Sequence, residues 1–346
     1  MQFNSEWIYF AAASLSFGLC YVLTPLCVYI SKLFNLFDKP GGHKSHSNPT
    51  PLMGGVAIYI SVWSIIFALL ATDFLIWNSA LQGIFIGATI IFIMGLVDDL
   101  KGLPPFAKFV VQVGAAVIVV LHGTVASLFI GYHIITIIIT ILWIVGISNS
   151  FNLLDNMDGL TAGVAAICCL IFSIIGYRQQ DYVTVYMAVT MLGALVAFLR
   201  FNFAPAELFM GDAGSGFIGF FMATLAVSAN YLQHTQLNHL PIITPLLIFA
   251  VPIFDTFSVM VIRILEGRSV WEADNKHFSH RLVSLGLSRR SAVLVIYLVT
   301  FSIGILATML TRVNRADAIL LLIHGASIFV IIVLLEFAGA AIRQEK

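Results

Sequence analysis

Five carboxylates carry the chemistry that this sequence can do: Asp98, Asp99, Asp155, Asp158 and Asp212. They stand in the segments "GLVDDLKG", "FNLLDNMDGLTAG" and "FMGDAGSG", each at the end of a long apolar stretch. An ionised group near lipid is expensive unless it is paired, hydrated or bound to a metal. Carboxylates beside glycines and amides suit a hard cation and a phosphate-bearing ligand at a membrane surface.

Each segment also has a plainer reading. Asp98 and Asp99 repel one another at the C-terminal end of a helix, where anions are unfavourable. A cation or Lys101 must compensate them. Asn149, Asn152, Asp155, Asn156 and Asp158 form a donor–acceptor set suited to a nucleobase and its ribose, and Asp158 is also expected to cap the next helix. Gly159 and Gly163 would admit a close backbone approach. Asp212 precedes Gly214 and Gly216 at a helix start. It reads as a metal ligand, with the first amides of that helix facing phosphate, against small-residue helix packing as the plain alternative. Phe209 reads as packing rather than as a platform for a base.

The segment "EGRSVWEADNKHFSHRLVSLGLSRR" holds His277 and His280, flanked by Lys276 and Arg281. No further His or Cys lies nearby, so cationic donors for a pyrophosphate fit better than zinc. Asp255, inside "VPIFDTFSVMVIRI", is either functional or an internal hydrogen-bonding group. In "DKPGGHKSHSNPTPLMGG", Lys44 and His46 either face an anion or are solvated.

These residues need a membrane scaffold to position them. Hydrophobic residues make up 60% of the 346, charged residues 10%, and mean hydropathy is +1.00. Soluble domains carry roughly 25% charged residues. A spanning helix needs roughly 20 apolar residues. Eleven stretches qualify: 7–30, 53–72, 80–97, 106–121, 132–150, 159–177, 182–199, 213–229, 241–263, 292–310 and 317–340. The expected fold is all-α, one polytopic transmembrane domain over residues 1–346, without strand or barrel periodicity. The first stretch lacks a basic leader and reads as a retained helix. With eleven crossings, fourteen of the 17 Lys and Arg fall on one side, which the positive-inside rule makes cytoplasmic. The N-terminus is then outside and the C-terminus cytoplasmic. All the polar segments follow odd-numbered stretches and share the cytoplasmic side. Cys20, Cys27, Cys168 and Cys169 lie inside apolar stretches and read as small packing residues. Net charge is zero, and no nucleic acid is expected as a partner.

The chain resembles the polyprenyl-phosphate N-acetylhexosamine-1-phosphate transferase family, which includes the peptidoglycan translocase. The resemblance rests on "HKSHSNPTPLMGG", "GLVDDLKGL", "NLLDNMDGLTAG", "FMGDAGSGFIG" and "DNKHFSHRL", in family order over almost the whole length. It implies an eleven-helix enzyme of the bacterial inner membrane with its active site facing the cytoplasm. It also implies Mg²⁺ or Mn²⁺, a UDP-N-acetylhexosamine donor and an undecaprenyl phosphate acceptor; a homodimer is an option. Asp98 and Asp99 match the family's acidic pair, Asp155 and Asp158 its nucleotide-loop acids, and Asp212 its Mg²⁺ ligand, with Asp99 a second ligand.

The implied catalytic set is Asp98, Asp99, Asp212 and His277. Asn152, Asp155, Asp158, Lys44, His46, His280 and Arg281 are the implied binding set. Where the family reads His-x-His-His, this chain has His277-Phe278-Ser279-His280. Ser279 is read as a tolerated departure, so restoring His there is expected to leave activity within a few fold. The implied reaction is attack of the lipid phosphate on the β-phosphorus of the UDP-sugar with loss of UMP. It would transfer N-acetylhexosamine-1-phosphate, with GlcNAc-1-phosphate the leading case, and start O-antigen-type envelope polysaccharides. The phospho-MurNAc-pentapeptide transferase alternative lacks its Pro-x-His-His-His stretch here, and a transporter is the alternative from another class.

Overall fold

The computed structural model describes residues 6–38, 49–127, 132–231, 240–269 and 276–344, with the backbone alone at Pro241 and 339–344. Lys44 and His46 lie outside the described residues.

A helix occupies every expected stretch. They are α1 (Glu6–Leu33), α2 (Gly54–Ala71), α3 (Ser79–Lys101), α4 (Pro105–Leu121), α5 (His133–Leu154), α6 (Leu160–Gln179), α7 (Tyr182–Asn202) and α8 (Gly211–Ser228). Then follow α9 (Thr244–Ile248), α10 (Ala250–Leu265), the short α11 (Phe278–Ser284), α12 (Arg289–Leu310) and α13 (Arg315–Gln344). Eight of these are long and apolar enough to cross a membrane: α1, α2, α3, α5, α6, α7, α12 and α13. The protein is therefore a multi-pass membrane protein. Helix ends follow local chemistry. The side chains of Asn78, Asp181 and Ser288 accept the amides of Leu81, Thr184 and Ser291 at 2.9, 3.2 and 3.1 Å.

The expected span 241–263 is not one helix. A 3₁₀ turn (Leu240–Ile243) leads into α9, and the chain bends at Phe249 before α10. Pro252 explains the bend: it has no amide hydrogen, and its ring crowds the carbonyl four residues back, at Ile248. That carbonyl instead accepts the thiol of Cys168 at 3.2 Å. Cys168 is thus a donor as well as a packing residue. All four cysteines are free and buried. Strand structure, not expected from the sequence, is limited among the described residues to one antiparallel pair, β1 (Phe37–Asp38) with β2 (Thr50–Pro51).

Helix α8 is the centre of the molecule. Its residues from Ala213 to Ala226 are all buried, and α2, α3 and α5 surround it. A helix apolar on every side belongs in the interior. Its first turn is gripped closely: a Cβ at Gly55 of α2 would lie 2.3 Å from the Gly214 nitrogen. The polar contacts gather at two ends of the bundle. One end joins Glu6 to Tyr177, Arg178 to the Thr308 carbonyl at 3.3 Å, and Asp181 to the Asn230 amide at 3.1 Å. The other gathers the ends of α3, α5, α7 and α10 with the starts of α2 and α8.

Candidate active site

Two segments far apart in sequence build the floor of this second end. Pro51 accepts the amide of Phe209 at 2.9 Å, while Gly54 and Gly55 donate to the carbonyls of Phe209 and Met210, both at 2.9 Å. The start of α2 and the start of α8 therefore form one unit. Gly211 follows with φ of 72°, a conformation that side chains rarely adopt. A Cβ there would also meet the Asp99 carboxylate at 2.4 Å.

Asp99 uses both oxygens on α8, accepting the amide of Asp212 at 2.7 Å and that of Ala213 at 3.1 Å. It caps the central helix from outside that helix's own sequence. The expectation that the first amides of α8 face phosphate is corrected here, since Asp99 takes two of them. Asp212 projects from the same turn. Its carboxylate receives the Lys108 ammonium at 2.9 Å and the Asn152 amide at 2.9 Å. Asn152 also donates to Ser215 at 2.9 Å. Asp98 is buried, pairs with the same Lys108, and accepts the Leu103 amide at 2.6 Å. One ammonium thus bridges Asp98 and Asp212.

The compensating charge, expected to be a bound cation or Lys101, comes in this structure from Lys108. Lys101 is exposed, whereas Lys108 lies one turn into α4, facing the acidic pair. The missed signal was a lone charge inside an apolar run directly after Pro104-Pro105. Beside it, Gln112 and Asn149 exchange hydrogen bonds at 3.2 and 2.7 Å, a neutral pair fixing α4 on α5.

Asp155 ends α5 and Asp158 sits just before α6. Burial pushes the Asp155 carboxyl up to about 7, reinforced by the negative charge of Asp212, Asp99 and Asp158. Asp158 does not cap α6. Gly159 holds the cap position in a left-handed conformation, and the Asp158 carboxylate accepts the Ala206 amide at 3.0 Å. It secures the segment leading to α8. Gly163 does admit a close approach, but by Tyr297 of α12, whose hydroxyl would lie 2.0 Å from an added Cβ.

The histidine segment is anchored by the acid that the sequence left open. Asp255 of α10 is 1% exposed and accepts His277 Nδ1 at 2.8 Å and the Phe278 amide at 2.5 Å. A carboxylate only accepts, so Nδ1 carries the hydrogen and Nε2 is the ring nitrogen left to act. Arg281 is directed elsewhere: to Glu336 of α13 at 3.0 Å, Ser258 at 2.9 Å and the Lys276 carbonyl at 3.0 Å. These bonds make it a brace between α10, α11 and α13. His280 is half-buried on α11.

Ser279 is not an idle departure. It is 1% exposed, and its hydroxyl donates to Asn156 Oδ1 at 2.6 Å. A histidine there would replace this buried hydroxyl with a larger ring, and overpacking a buried position costs about 1–3 kcal/mol. Ser279→His is therefore expected to lower both activity and melting temperature. Activity within a few fold of wild type, with an unchanged melt, would restore the sequence expectation.

Among the described residues, no group of three or more His, Cys, Asp or Glu side chains is arranged to hold a metal. The donors still fit Mg²⁺, which is usually held by one or two carboxylates together with substrate phosphates and water. Asp98 and Asp212 already hold one positive charge between them, the Lys108 ammonium.

The profile of Glycosyl transferase family 4 matches residues 81–230, which hold all five carboxylates. The chain is 33% identical over 299 residues to a Bacillus subtilis protein described as a probable undecaprenyl-phosphate N-acetylglucosaminyl 1-phosphate transferase, covering 84% of this chain and 81% of that one. This chain belongs to that transferase family. The decaprenyl-phosphate N-acetylglucosaminephosphotransferase of Mycobacterium leprae is 30% identical, over 80% of this chain and 77% of its own. The undecaprenyl-phosphate alpha-N-acetylglucosaminyl 1-phosphate transferase of Escherichia coli is 27% identical, over 80% and 78%. As a family 4 member, the protein is a glycosyl-phosphate transferase, and its acidic cluster belongs to a membrane enzyme.

Proposed function

We propose that this enzyme transfers GlcNAc-1-phosphate from UDP-GlcNAc to undecaprenyl phosphate, releasing UMP and starting an envelope polysaccharide of the O-antigen type. The observation that carries the reading is the Asp98–Lys108–Asp212 bridge, held by Asn152 and Asp99 at one polar end of the bundle. Three carboxylates and one ammonium leave net negative charge, which suits a divalent cation arriving with a pyrophosphate. The relatives' named activities supply the lipid and the sugar.

Phosphate meeting pyrophosphate is a problem of repulsion, so the residues must neutralise and align. Lys108 supplies one positive charge at a point fixed by two carboxylates. Asp212, with Asp98 beside it, would hold Mg²⁺, which when bound supplies Lewis-acid neutralisation of the phosphate oxygens. A phosphate monoester has a second pKa of roughly 6 and is mostly dianionic at neutral pH. Asp98 therefore has no proton that it must remove, and its work is to hold Lys108. Asn152, Asp155 and Asp158 line the nucleotide side. His277 offers Nε2 to the donor's pyrophosphate, its ring aimed by Asp255.

In this reading the chain crosses a bacterial inner membrane eleven times, with α9 and α10 together making one crossing. The N-terminus is outside, and the acidic end is cytoplasmic. A transporter would need a polar site near the midplane, and the centre of this bundle is the apolar α8. The test is UMP release from UDP-GlcNAc with undecaprenyl phosphate and Mg²⁺, run beside a panel of other UDP-sugars. Turnover limited to UDP-GlcNAc supports the proposal. Release of UMP from another UDP-sugar alone reassigns the donor, and none from any sugar rejects the reading.

A further inference from the structure

Helix α11 is pinned on one side by α10 and α13. Asp255 holds its His277 ring and its Phe278 amide, while Arg281 reaches Ser258 and Glu336. Ser279 reaches in another direction, to Asn156 in the loop between α5 and α6, 123 residues away in sequence. The contact engages the Ser279 hydroxyl and both ends of the Asn156 side-chain amide. The Ser279 hydroxyl donates its one hydrogen to Asn156 Oδ1, and Asn156 Nδ2 donates to the Leu153 carbonyl at 2.9 Å. Asn156 thus ties the loop to α11, while Asn152 four residues earlier ties the end of α5 to Asp212 and Ser215 of α8. His277 lies two residues from Ser279, and Asp155 and Asp158 flank Asn156.

We propose that the Ser279–Asn156 hydrogen bond couples the two halves of the site, setting the nucleotide-binding α5–α6 loop in register with His277. Ser279 is then a positioning residue for the nucleotide sugar, and it does not touch the substrate. The inference rests on the proposed reading of the α5–α6 loop as the nucleotide segment.

A double-mutant cycle tests it, with Ser279→Ala, Asn156→Ala and the two combined in the full-length protein. UMP affinity by calorimetry, KM and kcat for UDP-GlcNAc, and melting temperature are read on each. Loss of one buried hydrogen-bond partner is expected to weaken UMP binding and raise KM about tenfold, with a smaller change in kcat. The double variant should bind UMP no more weakly than the worse single one. If Ser279→Ala folds poorly, Asn156→Ala, at the half-buried side of the pair, gives the same comparison of KM with kcat. Additive losses would overturn the coupling, as would a lowered melting temperature with unchanged UMP affinity. Wild-type protein that neither binds UMP nor turns over UDP-GlcNAc would sink the proposed function and this inference with it. Wild-type activity with additive losses sinks the inference alone.

Discussion

Asp212→Asn is expected to reduce turnover by about 100- to 1000-fold, the loss that follows removal of one preorganised electrostatic group. The side chain keeps its shape, and the Asn152 amide can still reach an oxygen. What disappears is the negative charge that holds Lys108 at 2.9 Å and that would bind the cation. Lys108 is then left with Asp98 alone, and its ammonium shifts toward that partner. The check is UMP release at saturating Mg²⁺ beside a melting curve in detergent. A near-wild-type rate would remove Asp212 from the chemistry, and a collapsed melt would make it structural.

Asp99→Ala is expected to be as damaging to activity by a different route. The carboxylate accepts two amides of the buried central helix, at 2.7 and 3.1 Å. Its loss leaves both amides without their partner in a place where water does not easily replace it, at a cost of roughly 3 kcal/mol. Because Asp212 sits in the turn that is released, the active-site geometry loosens as the helix end frays. The melting temperature should fall together with the rate. A pure metal ligand would behave otherwise: the rate would fall while the melt stayed put or rose, since removing a buried charge relieves repulsion. Measuring both quantities on one preparation separates the two roles.

The sequence made the helices legible because apolar length and capping chemistry are local. Ten of the eleven expected stretches became continuous helices within a few residues of their expected ends. The break at Phe249 was less legible, since prolines are common in membrane helices and only the packing partner shows which carbonyl is freed. The carboxylates themselves stood out, because charge is rare in this chain. Their division of labour did not. Asp98, Asp99, Asp158 and Asp212 look equivalent as letters, yet one holds a lysine, one caps a helix, one pins a loop and one faces the site. Three of those differences depend on partners about 50 to more than 100 residues away, and the fourth on Lys108, ten positions beyond Asp98 across the Pro104-Pro105 turn. Lys108 was counted in the sequence only as a topological charge, and Asp255 could not be assigned without seeing His277 folded back on it.

The four cysteines have an experimental consequence. Cys20, Cys168 and Cys169 are 0% exposed and Cys27 is 5% exposed. The folded protein thus presents almost no native thiol to a water-soluble reagent. A single cysteine placed at Arg178 or Lys101, on opposite ends of the bundle, would give a labelling signal over a dark background. No cysteine-free version would have to be made, and Cys168 could keep its bond to Ile248. An impermeant maleimide added to intact cells would then report which end faces outward.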